Sequence, residues 1–242
     1  MLAKKILSLQ HPKVLHWSQL LRTRSYREKS GSALISGEKL VRELAQNAPL
    51  KCLMTLDASP EIPASERFLV TEPILKKITG LEAPDGFAAE IPIPASRDLS
   101  SCRNLLILDR IADPGNLGTL LRTAYALSWD GVAATPGTVD FFNDKAIRAA
   151  QGATFRLPYA IESPETIASW KFFFYVGDIQ GTPLSDAVFQ SPRALILGNE
   201  GQGASPWAES LGAKIHIPMR KEAESLNVAA AGAIMLYAMR PL

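Results

Sequence analysis

The chain has 242 residues, enough for one large domain or two modest ones, and its 47% hydrophobic and 21% charged residues exclude wholesale disorder. The net charge of +2 does not by itself announce a nucleic-acid binder. Residues 13–29 (KVLHWSQLLRTRSYREK) set Val14, Trp17, Leu20 and Leu21 at helical spacing and predict a helix with basic residues on its other face. Residues 1–29 carry seven Lys/Arg against one acid, Glu28, leaving 19 basic and 23 acidic groups beyond them. That asymmetry reads either as a surface for a polyanionic partner or as a solvated helix face. Next come a short strand (SALIS), a helix (GEKLVRELAQNA), strands KCLMTLD and RFLVT, and a helix EPILKKITG closed by Gly80. GFAAEIPIP predicts a last strand stopped by Pro92 and Pro94. This alternation describes a small α/β unit, and the Pro- and Ser-rich stretch Pro92–Ser101 reads as the linker after it.

Beyond the linker, NLLILD (104–109) is a continuous apolar run of the kind a central parallel strand requires. A helix NLGTLLRTAYAL, a strand GVAAT, a helix NDKAIRAA and strands KFFFYVGD (171–178), RALILG (193–198) and AKIHIP (213–218) follow. SLNVAAAGAIMLYAM (225–239) predicts a final helix apolar on nearly every side, which must be covered all round. The order predicts a doubly wound parallel sheet over residues 101–242.

Several classes are disfavoured. Cys52 and Cys102 form no CxxC, and His11, His16 and His216 have no ligand spacing with them, so neither a disulfide framework nor a metal site is expected. His216 reads as a satisfied core histidine. The apolar start is too short for a secretory signal, and no run approaches the roughly 18 apolar residues of a membrane span, so a cytoplasmic protein is expected. Phosphate-cradling GxxxxGK[ST] and hydrolase GxSxG motifs do not occur.

In open α/β sheets ligands bind beyond the carboxyl ends of the strands. Three such loops are rich in polar groups: Asp109–Gly118, leading to Arg122; Leu197–Gly203; and Ile217–Asn227. Each has a plain reading. Asn116 reads as a helix N-cap in an Asp-Pro-Gly-Asn turn, Arg122 as a surface residue, Gly198–Gly203 as a flexible loop, Ser225 as the N-cap of the last helix and Asn227 as a first-turn residue.

Together, LDRIADPGNLGTLLRTA, LILGNEGQGAS and IHIPMRKEAESLNVAAA resemble the three signature motifs of the SpoU (TrmH-like) 2′-O-ribose RNA methyltransferases of the SPOUT class. Residues 32–94 resemble more weakly the L30e-like substrate-binding domain that precedes the catalytic domain in many members. The resemblance implies a deep trefoil knot in a C-terminal parallel sheet with helices on both faces. It implies an N-terminal RNA-binding domain over 1–97 and a methyltransferase domain over 98–242. It also implies S-adenosylmethionine as cofactor, ribosomal or transfer RNA as substrate, and a homodimer. Main-chain groups near Gly198, Ile217 and Leu226 would hold adenine and ribose, with Thr135 and Met219 nearby and Leu197, Ile217 and Leu226 as apolar walls.

A ribose 2′-hydroxyl is a weak nucleophile and must be aligned and relieved of its proton. The resemblance carries over Asn116, Arg122, Glu200, Ser225 and Asn227 as catalytic. In this family the arginine is often assigned as the general base; because a guanidinium stays protonated, Arg122 is expected to hold an RNA phosphate and stabilise developing alkoxide charge, passing the proton on only if its site is strongly perturbed. Glu200 and Asn116 would orient Arg122 and the ribose, while Ser225 and Asn227 would shape the pocket and bond to substrate. The chain departs from the family pattern at Ala112, where Gln is frequent, at Leu127-Ser128-Trp129 in place of Phe-Gly, and at Ala150 in place of Ser. Two other functions fit the residues: a non-catalytic RNA-binding protein on this scaffold, and a nucleotide-dependent oxidoreductase on an unknotted sheet.

Overall fold

The computed structural model describes residues 3–46, 49–57, 62–220 and 222–241. The predicted helix end at Asn47 and Ala48, and Lys221 of the third loop, lie outside the described residues. The chain divides into two compact units, Met1–Pro94 with Phe142–Phe155, and Ala95–Phe141 with Arg156–Leu242.

The first unit runs β1 (Lys4–Ile6), α1 (Pro12–Arg22), α2 (Arg24–Ser30), β2 (Ser32–Ser36), α3 (Glu38–Ala45), β3 (Leu50–Thr55), β4 (Ala64–Val70), α4 (Glu72–Thr79) and β5 (Phe87–Pro92). Its sheet has the order β1-β4-β3-β5-β2, with β5 antiparallel to both neighbours and the β1–β4 and β3–β4 pairs parallel. Trp17 is fully buried in its core, edge-on to Phe68 at 5.3 Å. The Trp17 Nε1–H donates to the buried Glu90 carboxylate at 3.2 Å, which answers the polar end of both groups.

Two sequence expectations fail here. The helix predicted over 13–29 is broken at Thr23, whose φ of −120° and ψ of 113° are extended. Arg27, expected on the solvent face, is buried and donates to the carbonyls of Leu20 and Leu21 at 2.6 and 3.1 Å, satisfying the open end of α1. The strand Lys4–Ile6 has three residues, too few to reveal a period. Of the seven basic groups in 1–29, Lys4 and Lys13 pair with Glu66, Arg24 pairs with Glu28, and Arg27 is buried on carbonyls. Burial pushes the Cys52 thiol up to about 12, so it stays protonated near neutrality.

The second unit begins with β6 (Asn104–Leu108), α5 (Pro114–Ala126) and β7 (Gly131–Ala134). α6 (Asp144–Ala150) groups with the first unit. There follow β8 (Tyr159–Ile161), α7 (Pro164–Ala168), β9 (Phe173–Pro183), β10 (Arg193–Leu197), α8 (Pro206–Leu211), β11 (Ala213–His216) and α9 (Val228–Ala238). The six strands form one sheet, β11-β9-β10-β6-β7-β8, with every pair parallel, as the apolar runs predict.

Strand alternation puts helices on both faces of this sheet. Ala194 and Ile196 of β10 share a core cluster with Ile167 of α7 and Ala208 of α8, whereas Leu197 lies against Gly232 of α9. Strand order reverses between β10 and β6, the position at which open α/β sheets bind ligands. α9 is not covered all round within the chain: Gly232, Met235 and Leu236 are buried, but Ile234 and Tyr237 are 43% and 57% exposed. His216 is half-buried rather than core, with Nδ1 3.0 Å from the Gly181 carbonyl.

Candidate active site

A cleft of about 420 Å³ opens between the middle of β9, at Gly177–Ile179, and the segments that leave the carboxyl ends of β10 and β11. Its walls include Leu197, Gly198, Ile217, Met219 and Leu226, with Glu200 and Ser225 on the same lining. Leu197 and Gly198 are buried, whereas Met219 and Leu226 are 36% and 39% exposed. Gly198 is required by a close approach: a Cβ there would stand 2.2 Å from the backbone nitrogen of Ala204. The loop so folded is pinned by reciprocal backbone hydrogen bonds between Asn199 and Gly203, both 2.9 Å.

α5 starts where Asp113, not Asn116, caps it: Asp113 accepts the Asn116 N–H at 2.8 Å and Pro114 takes the first turn. That frees the Asn116 side chain. Its Nδ2 donates to Glu200 Oε1 at 3.0 Å, and its Oδ1 accepts from Asn227 Nδ2 at 3.0 Å. Asn227, not Ser225, caps α9, accepting from the Ala229 and Ala230 N–H groups at 2.9 and 3.3 Å. Glu200 also accepts the Ala112 and Asp113 N–H groups at 3.0 and 3.1 Å. Burial alone would raise the Glu200 carboxyl, but the Asn116 amide and these N–H groups outweigh it and hold its pKa below the usual value. The chain Glu200–Asn116–Asn227 thus ties together three loops far apart in sequence.

Two expected residues lie elsewhere. Arg122 is exposed on α5, is not among the cleft-lining residues, and touches neither Glu200 nor Asn116. Thr135 is 2% exposed and lines no part of the cleft. Its hydroxyl donates to Asp109 Oδ1 at 3.1 Å and accepts the Arg110 N–H at 3.2 Å.

Sequence reasoning missed the organising carboxylate, Asp109. It is fully buried, and its Oδ2 accepts the Ser205 N–H at 2.7 Å, so one side chain joins the ends of β6 and β7 to the start of α8. The signal was one charge closing the apolar run NLLILD. Also missed were Gly177, Asp178 and Ile179 of β9, and Met235 of α9, which complete the walls. The Gly-Asp of KFFFYVGD was the signal there, although the strand runs on past it to Pro183.

The charge of the lining decides what can sit there. Asp178, Glu200, Glu209 and Glu224 face the cleft, and among the described lining residues there is no Lys, Arg or His. Lys214 holds Asp178 and Glu209 from outside, at 2.9 and 3.2 Å. Burial raises the Asp178 carboxyl, but the Lys214 ammonium prevails and lowers its pKa. Such a lining suits a ligand with apolar, hydrogen-bonding and cationic parts, and opposes a dinucleotide pyrophosphate. Among the described residues no group of three or more His, Cys, Asp or Glu is arranged to hold a metal ion, and no helix is long and apolar enough to cross a membrane.

A parallel sheet with a cleft of small-molecule size beside β9, β10 and β11 defines an α/β protein with a formed binding site. The chain belongs to the SpoU rRNA methylase family, whose sequence profile matches residues 103–237. It is 34% identical to the 23S rRNA (guanosine(2553)-2′-O)-methyltransferase RlmP of Bacillus subtilis, across 98% of this chain and 99% of that protein. It is 28% identical to the 23S rRNA (uridine(2479)-2′-O)-methyltransferase of Streptomyces viridochromogenes, across 97% and 91%. The crystal structure of an AdoMet-bound rRNA methyltransferase from Sinorhizobium meliloti superposes with a TM-score of 0.86 at 26% identity, covering 98% of this chain and 97% of that one.

Proposed function

We propose that this chain transfers a methyl group from S-adenosylmethionine to a ribose 2′-hydroxyl of large-subunit ribosomal RNA. The two relatives act on different bases, guanosine and uridine, so what they share is the RNA and the ribose. The observation that carries the reading is the Glu200–Asn116–Asn227 chain, which ties the three motif loops to one another through Glu200 on the cleft lining. The cleft fits the cofactor in shape and sign. Leu197, Ile217 and Leu226 offer apolar walls for an adenine, the 198–203 backbone offers hydrogen-bonding groups, and four carboxylates favour a cation.

When bound, the cofactor supplies an electrophilic methyl group on a positively charged sulfur. Main-chain groups near Gly198, Ile217 and Leu226, with Met219 beside them, hold it, while Thr135 acts from behind by supporting Asp109. Ser225, exposed on the cleft lining, bonds to the substrate ribose. Asn116, Glu200 and Asn227 are satisfied by one another and act by holding the loops in place. Arg122 completes the cleft of a second subunit, binding the adjacent phosphate and stabilising the developing alkoxide. Its exposed position, with Ile234 and Tyr237 open on α9, which packs against α5, supports a two-fold homodimer through these helices.

The finer reading includes a deep trefoil knot threaded by the last helix, an L30e-like RNA-binding domain over 1–97, a catalytic domain over 98–242, and work in the cytoplasm. With four of the seven N-terminal basic groups engaged internally, the phosphate contacts of 1–29 fall to Lys5, Arg22 and Lys29.

Mapping ribose methylation in total RNA with and without the protein tests the function, and loss of one large-subunit rRNA methylation is the expected outcome. Calorimetry with S-adenosylmethionine and NAD separates it from an oxidoreductase. Cofactor binding without transfer to any RNA would indicate a non-catalytic RNA binder.

A further inference from the structure

Arg110 stands where its backbone conformation is unfavourable. Its φ is 60°, in the left-handed region that a side chain with a Cβ avoids, and a conformation of that kind persists where the surroundings gain from it. Its backbone makes two useful bonds, from its N–H to Thr135 Oγ1 at 3.2 Å and from Asn199 Nδ2 to its carbonyl at 2.9 Å, but any residue would make them. The side chain does what is particular to arginine. Its Nε is buried, makes no hydrogen bond and sits 3.4 Å from the fully buried Asp109 carboxylate, a charge contact, and its Nη1 donates to Gln202 Oε1 at 3.2 Å. Gln202 lies on the lip of the cleft, between Asn199 and Gly203, whose backbones are bonded to each other.

We infer that Arg110 is a positioning residue for cofactor binding: its guanidinium, held beside the Asp109 charge, carries Gln202 and sets the conformation of the 199–203 lip. A strained glycine position is thus given to arginine for the reach and rigid fork of its side chain. An RNA-phosphate role is the weaker reading, because Nε and Nη1 face Asp109 and Gln202, and the Asp109 charge beside them opposes an anion. The inference rests on the proposed function for the identity of the ligand.

Arg110→Gly tests it, because glycine relieves the strained φ and keeps both backbone hydrogen bonds while removing the guanidinium. Gln202→Ala is the second variant, since it removes the acceptor without touching that backbone. Thermal melting is measured beside calorimetric affinity for S-adenosylmethionine and S-adenosylhomocysteine in the absence of RNA. The expected result is an Arg110→Gly melting midpoint at or above wild type, with affinity for both ligands about tenfold weaker, the equivalent of one hydrogen bond. Gln202→Ala should lose the same affinity, the double variant should lose no more than either single one, and kcat at saturating cofactor should hold. Wild-type affinity in either variant overturns the inference. So does unchanged cofactor affinity with a raised RNA KM and a shallower salt dependence, which would make Arg110 a phosphate contact. A wild-type protein that binds neither ligand overturns the proposed function as well, so the two failures are distinguishable.

Discussion

The Asn227 side-chain amide donates to Oδ1 of Asn116 at 3.0 Å, joining residues 111 apart in sequence. The same Asn227 caps α9 through its Oδ1, so both ends of one carboxamide are in use. Asn227→Asp keeps the cap oxygen and a charge favourable to the helix start, but turns the donor into a second acceptor facing Asn116 Oδ1. Its expected stability lies within about 1 kcal/mol of wild type while methyl transfer collapses. Asn227→Ala loses cap and link together and should cost about 2 kcal/mol in denaturant unfolding. Full activity in the Asp variant would show that the link between the loops is dispensable.

Arg122→Ala separates chemistry from binding. The side chain is exposed, makes no contact with Glu200 or Asn116, and lines no part of its own cleft. Stability should change by less than about 0.5 kcal/mol and calorimetric cofactor affinity should hold, while methyl transfer is abolished. Mixing Arg122→Ala with a cleft-dead variant such as Gly198→Ala should restore part of the activity if one subunit completes the other's site. No recovery from mixed subunits would count against that arrangement.

Gly232→Ala should destabilise, against the usual preference of helices for alanine. Alanine gains about 1 kcal/mol in an exposed helix interior. Here the new Cβ would stand 2.3 Å from Leu120 Cδ2 and 2.7 Å from Leu197 Cδ1, and both leucines are buried. Overpacking of this kind costs about 1–3 kcal/mol, so a net loss is expected in thermal unfolding. Leu197 is also a cleft wall, so cofactor affinity should fall with it.

Glu66 sets an acid limb on the stability of the first unit. Hydrogen bonds from Lys13 and then Lys4 hold its pKa at about 2, below an ordinary value of 4.5. A folded-state pKa below the unfolded one gives stability that is complete above about 4.5 and is lost as pH falls toward about 2. Both lysines are substantially solvent-exposed, so the contribution is below about 1 kcal/mol. Glu66→Gln should therefore unfold slightly more easily than wild type at pH 7, with the difference closing near pH 2. A constant difference across that range in urea titrations would contradict the assignment.

Continuous apolar runs made β6, β7, β9 and β10 legible as buried parallel strands, because both faces of such strands must be apolar. Gly80 announced the end of α4, and it takes the left-handed C-cap conformation. Short elements escaped: β1, β8, α7 and α8 are three to six residues long, less than two helical turns or a readable alternation. The break at Thr23 escaped because the apolar spacing of 13–29 carries no sign that Arg27 folds back onto the carbonyls of α1.

The motif residues themselves were visible, and so was their grouping into three loops beyond strand ends. Which residue caps which helix was not. Asp113, Asn116, Ser225 and Asn227 are all good capping types, and only the path of the backbone into α5 and α9 selects Asp113 and Asn227.

Residue chemistry and spacing alone therefore determined that this chain folds as α/β, that its second half is a parallel sheet, and that polar loops leave the strand ends. These are local properties, written in apolar runs and glycine positions. Tertiary structure alone decided that Asn116 and Asn227 bond to each other, that Asp109 is the buried brace, that Thr135 supports rather than lines the cleft, and that Arg122 faces outward. Those are relations between segments some 25 to 110 residues apart, and hydrogen-bond partnership at 3 Å depends on where the sheet delivers each segment, which no local pattern encodes.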